Sequence, residues 1–323
     1  MKTIPIILLI ALSLLSCNKK VNKLLETHYQ IDCQIFDFQF KAIKNFPGDY
    51  CTFLSNGEWI SMTGPVIDLH SKTNQLRWHF PQTGFGEIKL SEDETKIIFL
   101  STELRDYQGK KIRFDTVNLT DRNGVPLATW SLFEQLSSIT QKIKRDANLL
   151  MADIGKIESI YEIPANALES KYSFLKKGNF LITLPSFGVV VIDSTFKKIE
   201  YIFELNRFGL REGQILSSGQ LIIFTNDNAE EYDLAQNKLL RTLQFKIPSE
   251  EGSPSSGPVQ LIFNNGYIVV TNTNAGGSFF ELNHNGEVVK KFKNTLLDSR
   301  TKKSNSIYLA KKLNLAKFLE NNF

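Results

Sequence analysis

The sequence predicts an all-β fold, most simply a six-bladed β-propeller with a short helical insertion and a C-terminal helix. Three observations carry this. A tight-turn unit recurs along the chain. Short β-branched and aromatic runs follow each turn. The turns recur at a spacing in the forties. Composition agrees: among 323 residues, 42% are apolar, 11% aromatic and 22% charged, with 24 Phe and more Gly (19) than Pro (10). Such values belong to a globular, β-leaning chain and exclude extended disorder, collagen and a coiled coil. The formal net charge of +4 supplies no basic stripe, so nucleic acid is not an expected partner.

The first sixteen residues read as a signal peptide. Met1-Lys2 is a short basic start, and Ile4 to Leu15 is almost wholly apolar. This run falls short of the roughly 20 residues that a membrane-spanning helix needs, and it suits the apolar core of a secretory signal. It ends in Leu14-Leu15-Ser16-Cys17, which resembles a bacterial lipobox. That resemblance implies cleavage after Ser16 and acylation of Cys17. Two or more acyl chains make a firm membrane anchor. Residues 17–30 then read as a polar tether. Asn18 is not the Asp that the resemblance associates with inner-membrane retention, so an outer-membrane, envelope location is expected. Beyond Cys17, the chain has only Cys33 and Cys51. In an oxidising compartment they form a candidate disulfide, the alternative being two buried free thiols. No His or Cys pair has metal-ligand spacing, and no metal or cofactor is expected.

The propeller is expected over residues 31–305. Leu54-Ser55-Asn56-Gly57 leads to Trp59-Ile60-Ser61-Met62, then Val66-Ile67-Asp68-Leu69, then Leu76 to Phe80. Leu175 to Gly178, Leu216 to Gly219 and Phe263 to Gly266 open three further copies, and a looser one opens at Leu90-Ser91-Glu92-Asp93-Glu94. The glycines supply the positive φ that tight hairpin turns demand. Uninterrupted apolar runs suit strands buried on both faces. Turn spacings in the forties, with several short strands per unit, indicate propeller blades. One divergent unit is expected around 131–165. Six blades fit the span, with seven blades or a β-sandwich as the alternatives.

Two segments read as helical. Leu132, Phe133, Leu136 and Ile139 fall at helical spacing and predict a helix carried on one face. Leu309, Leu313, Ala316 and Leu319 do the same, predicting a C-terminal amphipathic helix over 306–323, packed on the propeller. From Lys290 onward there are nine Lys/Arg and two Asp/Glu, which reads as a solvated basic face.

The blade pattern resembles the bacterial arylsulfotransferase-like propellers. The likeness rests on Gly266-Tyr267-Ile268-Val269-Val270, Phe279-Phe280-Glu281-Leu282 and Asn285-Gly286-Glu287-Val288-Val289. Phe114 to Leu119, Gly124-Val125-Pro126, Trp130 and Ile307 to Leu313 extend it. The resemblance implies sulfuryl transfer between phenols, with a His nucleophile and His, Arg and Asn donors meeting in the central channel. This chain departs from that pattern. Pro164-Ala165-Asn166 keeps the Asn without its His. In Leu210 to Leu216, Arg211 stands at the His position and Gln214 is kept. Thr225-Asn226-Asp227-Asn228 keeps an Asn, without the Arg that usually follows. Residues 80–283 contain no histidine. Asn166, Arg211, Gln214 and Asn226 are therefore candidate channel residues for an anion, with no catalytic residue assigned. The reading is a membrane-anchored binding or assembly propeller whose candidate partners are an envelope protein or a small anionic ligand. A divergent aryl-sulfate sulfotransferase is the alternative.

Overall fold

The computed structural model describes residues 28–37, 39–142, 156–164, 172–185, 187–205, 209–216, 218–225, 227–251, 260–262, 266–273, 276–293 and 310–313. Cys17 and the whole signal segment lie outside them, as do Asn166 and Asn226.

Six four-stranded antiparallel sheets account for the architecture. Blade 2 holds β4 (Tyr50–Phe53), β5 (Trp59–Thr63), β6 (Val66–His70) and β7 (Leu76–His79). Blade 3 holds β8 (Phe85–Leu90), β9 (Lys96–Tyr107), β10 (Lys110–Asp121) and β11 (Pro126–Ser131). Blade 4 is β12 (Ser159–Glu162), β13 (Phe180–Leu184), β14 (Gly188–Ile192) and β15 (Ile199–Glu204). Blade 5 is β16 (Leu210–Ile215), β17 (Leu221–Thr225), β18 (Asn228–Asp233) and β19 (Lys238–Gln244). Blade 6 is β20 (Gln260–Ile262), β21 (Gly266–Thr273), β22 (Gly276–Leu282) and β23 (Val288–Lys293). Blade 1 is assembled from both ends of the chain. β1 (His28–Ile31), β2 (Gln34–Phe36) and β3 (Ala42–Asn45) are completed by β24 (Ala310–Leu313), which pairs antiparallel with β1.

Packing closes these sheets into a ring. Each of the six junctions has its own apolar cluster. Ile35 and Phe46 meet Trp59 between blades 1 and 2, and Ile60 and Leu69 meet Ile97 and Phe99 between blades 2 and 3. Val117 and Trp130 meet Phe180 and Val190 between blades 3 and 4, and Leu181 and Val191 meet Leu221 and Ile223 between blades 4 and 5. Ile222 and Phe224 meet Tyr267 and Phe280 between blades 5 and 6, and Ile268 and Phe279 meet Tyr29 and Ile31 to complete the circle. Middle strands such as β13 and β14 are buried at every position because both their faces are covered. β19, the last strand of its blade, is exposed along most of its length. The first strand of blades 2 to 6, and β24 in blade 1, is therefore innermost and lines the channel. Neighbouring first strands touch, β4 beside β8 and β12 beside β16.

A second turn repeats as regularly as the first. Between the third and fourth strands, Asp37, Ser71, Asp121, Asp193, Asp233 and Asn283 each bend a side-chain oxygen onto backbone N–H groups two to five residues on. The residue three or four places later has positive φ: Phe40, Asn74, Gly124, Phe196, Asn237 and Gly286. The side-chain acceptor closes the turn and offsets the left-handed strain. At 40 and 196 the strained residue is a phenylalanine whose ring joins the interblade core.

Two elements break the regularity, and both rise from one face. β9 and β10 run twelve residues each, longer than any other strand pair. Helix α1 (Leu132–Lys142) follows β11. Ser131 caps it, its Oγ accepting the Glu134 N–H at 3.2 Å. Leu132, Leu136 and Ile139 are buried beneath it, which gives the predicted helical face its partner.

Three expectations need correction. The stretch 131–165 was expected to hold a divergent blade: among its described residues it carries α1 and the first strand of blade 4, and the sixth blade is instead the N-terminal one. Residues 28–30 are not tether, because Tyr29 and Gln30 are buried in β1. Within the C-terminal helix expected over 306–323, Ala310–Leu313 form the strand β24; the remainder of that stretch lies outside the described residues. The physical reason is shared by the last two. An open ring would leave β1 with an unpaired inner edge, and strand pairing satisfies those backbone groups better than a detached helix does.

Candidate functional site

The innermost strands start together on one face of the ring. Arg211, near the start of β16, reaches Glu158 just before β12, with Nη1 2.6 Å from Oε1. Thr52 of β4 donates to the Ile88 carbonyl of β8 at 2.5 Å. The β9–β10 hairpin and α1 project from this starting face, called the upper face below.

Three innermost strands send polar groups into the channel. Lys89 of β8 and Glu212 of β16 form an ion pair, Nζ to Oε1, at 2.9 Å. It spans from blade 3 to blade 5. Tyr161 of β12, in the blade between, feels both charges. Burial first, then Glu212 and two further carboxylates, push its phenol up to about 12 against the pull of Lys89. At neutral pH Tyr161 is a hydrogen-bond donor and not a phenolate. Glu212 is 3% exposed. Its second oxygen, Oε2, is buried without a hydrogen-bond partner.

At the root of the long hairpin the upper face opens into a cavity of about 450 Å3. Blade 2 contributes Pro65 and the link into blade 3 contributes Thr83, Gly84 and Phe85. The hairpin adds Ser101, Thr102, Arg113 and Asp115, and the link into blade 4 adds Lys156, Ile157 and Glu158. Asp115 is 7% exposed and accepts the Ile157 N–H at 2.7 Å. Burial raises its carboxyl to about 6; that hydrogen bond and Lys156 pull the other way, and Glu158 adds to the rise. On the opposite face Glu58 takes Arg122 at 2.6 Å, Arg77 and the Asn56 amide at 2.8 Å. This cluster ties blade 2 to blade 3.

Of the predicted anion-binding set, Arg211 and Gln214 share β16, and Arg211 is paired to the Glu158 carboxylate. All four histidines of the chain are described, and none lies on an innermost strand. His28 is on β1. His70 stacks on the Trp59 ring at a centroid distance of 3.9 Å, with Nε2 3.0 Å from Ser61 Oγ. His79 pairs with Asp68, and His284 sits exposed in the β22–β23 turn. Cys33, in the β1–β2 turn, and Cys51, on β4, are joined by a disulfide with Cα atoms 4.9 Å apart. It staples blade 1 to blade 2. Among the described residues no group of three or more His, Cys, Asp or Glu could hold a metal ion, and no helix is long and apolar enough to cross a membrane.

Sequence reasoning missed Lys89, Tyr161 and Glu212, and also Arg113, Asp115 and Lys156. No local signal singled out the first group: Lys89 shares β8 with Glu87, and Glu212 shares β16 with Arg211 and Gln214, so only the pairing across the ring marks them.

These features define a six-bladed β-propeller closed by strands from both chain ends, with one elaborated face. A solved structure, described as a protein of unknown function from Bacteroides caccae, is similar over 87% of this chain and 97% of its own, with a TM-score of 0.51 and 11% identity. That likeness concerns the fold alone. No protein-family model matches the chain, and no curated protein does.

Proposed function

We propose that this chain is an envelope lipoprotein, anchored through Cys17, whose propeller is a non-catalytic binding or assembly module using its upper face. The observation that carries the non-catalytic part is the environment of Arg211. The residue standing where the arylsulfotransferase-like pattern has a histidine is neutralised by Glu158 at 2.6 Å, and no histidine sits on an innermost strand. The Cys33–Cys51 disulfide supports an oxidising compartment. The hairpin, helix and cavity gathered on one face support that face as the place of binding, since function concentrates in loops on a rigid scaffold. The experiment has two arms. Radiolabelled palmitate should enter the wild-type chain and not Cys17→Ser, which should also leave the membrane fraction. Purified protein should not turn over 4-nitrophenyl sulfate with a phenol acceptor.

A second reading is divergent sulfuryl transfer in the channel. It is favoured by one feature, the convergence of Lys89, Tyr161 and Glu212 in place of an apolar plug. Turnover that disappears in Tyr161→Phe or Lys89→Met would replace the first reading with this one.

A further inference from the structure

We propose that the upper-face cavity binds the carboxylate of a small organic acid, held by Arg113 and Lys156 with its hydrocarbon part against Phe85 and Pro65. The inference rests on the reading of the propeller as a binding module and names the ligand class of that face. The volume, about 450 Å3, falls in the range of small-molecule sites. The charges in it are unequal in availability. Glu158 is engaged by Arg211, whereas neither Arg113 nor Lys156 forms an ion pair with a described residue. A guanidinium presents a planar fork that matches a carboxylate. Phe85, Pro65 and Ile157 give the apolar wall that favours an organic acid over an inorganic ion.

Asp115 makes the site responsive to pH. The charged groups around it are Arg113 on its own strand and Lys156 and Glu158 from the link into blade 4; β9, the blade 2 loop and the link into blade 3 line the cavity with the uncharged Ser101, Thr102, Pro65, Thr83, Gly84 and Phe85. Above its raised midpoint of about 6, Asp115 is a second anion beside the ligand. Below it, Asp115 is neutral and its O–H can donate to the ligand carboxylate. Affinity should therefore rise as pH falls.

The test is calorimetric titration of the full chain with phenylacetate and with its neutral analogue phenylacetamide. Phenylacetate remains ionised above pH 5.5, as an ordinary carboxyl titrates near 4. Binding should tighten about fivefold from pH 7.5 to pH 5.5. Phenylacetamide should bind at least about tenfold more weakly, and Arg113→Gln or Lys156→Gln should each weaken phenylacetate by about tenfold. Asp115→Asn should bind with the acid-limb affinity at both pH values. Equal binding of the amide would overturn the carboxylate inference while leaving a binding face. A flat wild-type pH profile would overturn the part given to Asp115. No binding of either compound at any pH would overturn the inference; retained capture of an envelope protein would then separate that failure from failure of the binding-module reading.

Discussion

Lys89 Nζ lies 2.9 Å from Glu212 Oε1, and this one contact links blade 3 to blade 5 past the inner edge of blade 4. The apolar clusters, by contrast, each join adjacent blades. A link between non-neighbours constrains the channel diameter directly. The pair is also poorly solvated, with side chains 20% and 4% exposed, so their mutual attraction is only weakly screened.

Glu212→Ala should destabilise the fold by about 3 kcal/mol, because it removes the carboxylate held against a poorly solvated ammonium. The double variant Lys89→Met/Glu212→Leu should recover most of that loss, since two apolar groups replace two desolvated ions. Urea unfolding of the three proteins gives the comparison. A double variant as unstable as the single one would show that the pair contributes through more than mutual neutralisation.

The Cys33–Cys51 bridge closes a loop of 18 residues in sequence separation. The chain-entropy model gives such a loop about 3 kcal/mol. Cys33→Ser/Cys51→Ser should unfold at correspondingly lower urea, and dithiothreitol should shift wild type toward the variant while leaving the variant unmoved.

Asp115 predicts a pH-dependent stability with a definite sign. Its folded-state value of about 6 lies above the unfolded value near 3.9. Between these values the folded chain binds more protons than the unfolded chain, so this residue's contribution is complete below about pH 4 and is lost as pH rises through 6. Asp115→Asn keeps an acceptor for the Ile157 N–H and has no charge to bury. It should be more stable than wild type by roughly 3 kcal/mol at pH 7.5 and indistinguishable at pH 4. Thermal melts at the two pH values decide it, and a constant difference would remove Asp115 as the cause.

Two glycines with positive φ should respond differently to alanine. At Gly124, φ is +68° and a Cβ would fall 2.6 Å from the Trp78 ring and 2.9 Å from Phe80. At Gly64, φ is +56° with nothing within 4 Å. Gly64→Ala should cost about 1 kcal/mol, the left-handed backbone strain alone. Gly124→Ala should cost about 3 kcal/mol because it also overpacks the blade 2–3 junction. Denaturant midpoints of both variants measure the difference.

Deleting residues 306–323 should abolish the cooperative fold. The deletion removes β24, leaves β1 with a bare inner edge and opens the ring between blades 6 and 1. Gel filtration and circular dichroism should report aggregation or a broad, non-cooperative melt. A monodisperse protein with an unchanged melt would show that the ring does not need its last strand.

How much was legible depended on the range of the interactions involved. The Gly57 and Gly219 turns, and the strands that follow them, are local and were readable from a few consecutive residues. So was α1, through the helical spacing of Leu132, Phe133, Leu136 and Ile139. The turns at Phe40 and Phe196 were not readable, because a phenylalanine with positive φ contradicts local preference. Interblade packing of its ring overrides that preference. The candidate site divided the same way. Arg211 drew notice by standing where the arylsulfotransferase-like pattern has a histidine, but its partner Glu158 stands 53 positions earlier, a separation no local pattern spans.

The sequence by itself determined the repeat, and with it an all-β ring of short four-stranded units, because hairpins and their turns are set by neighbouring residues. Only the tertiary structure decided which strands close the ring. Ala310–Leu313 lie in the stretch where Leu309, Leu313, Ala316 and Leu319 predicted a helix, yet they form a strand, because the inner edge of β1 has no other partner. Tertiary structure alone also brought Lys89 to Glu212, 123 positions apart, and gathered Arg113, Asp115 and Lys156 around one cavity. Charges come together there because the ring, and not the local chain, fixes which innermost strands face one another.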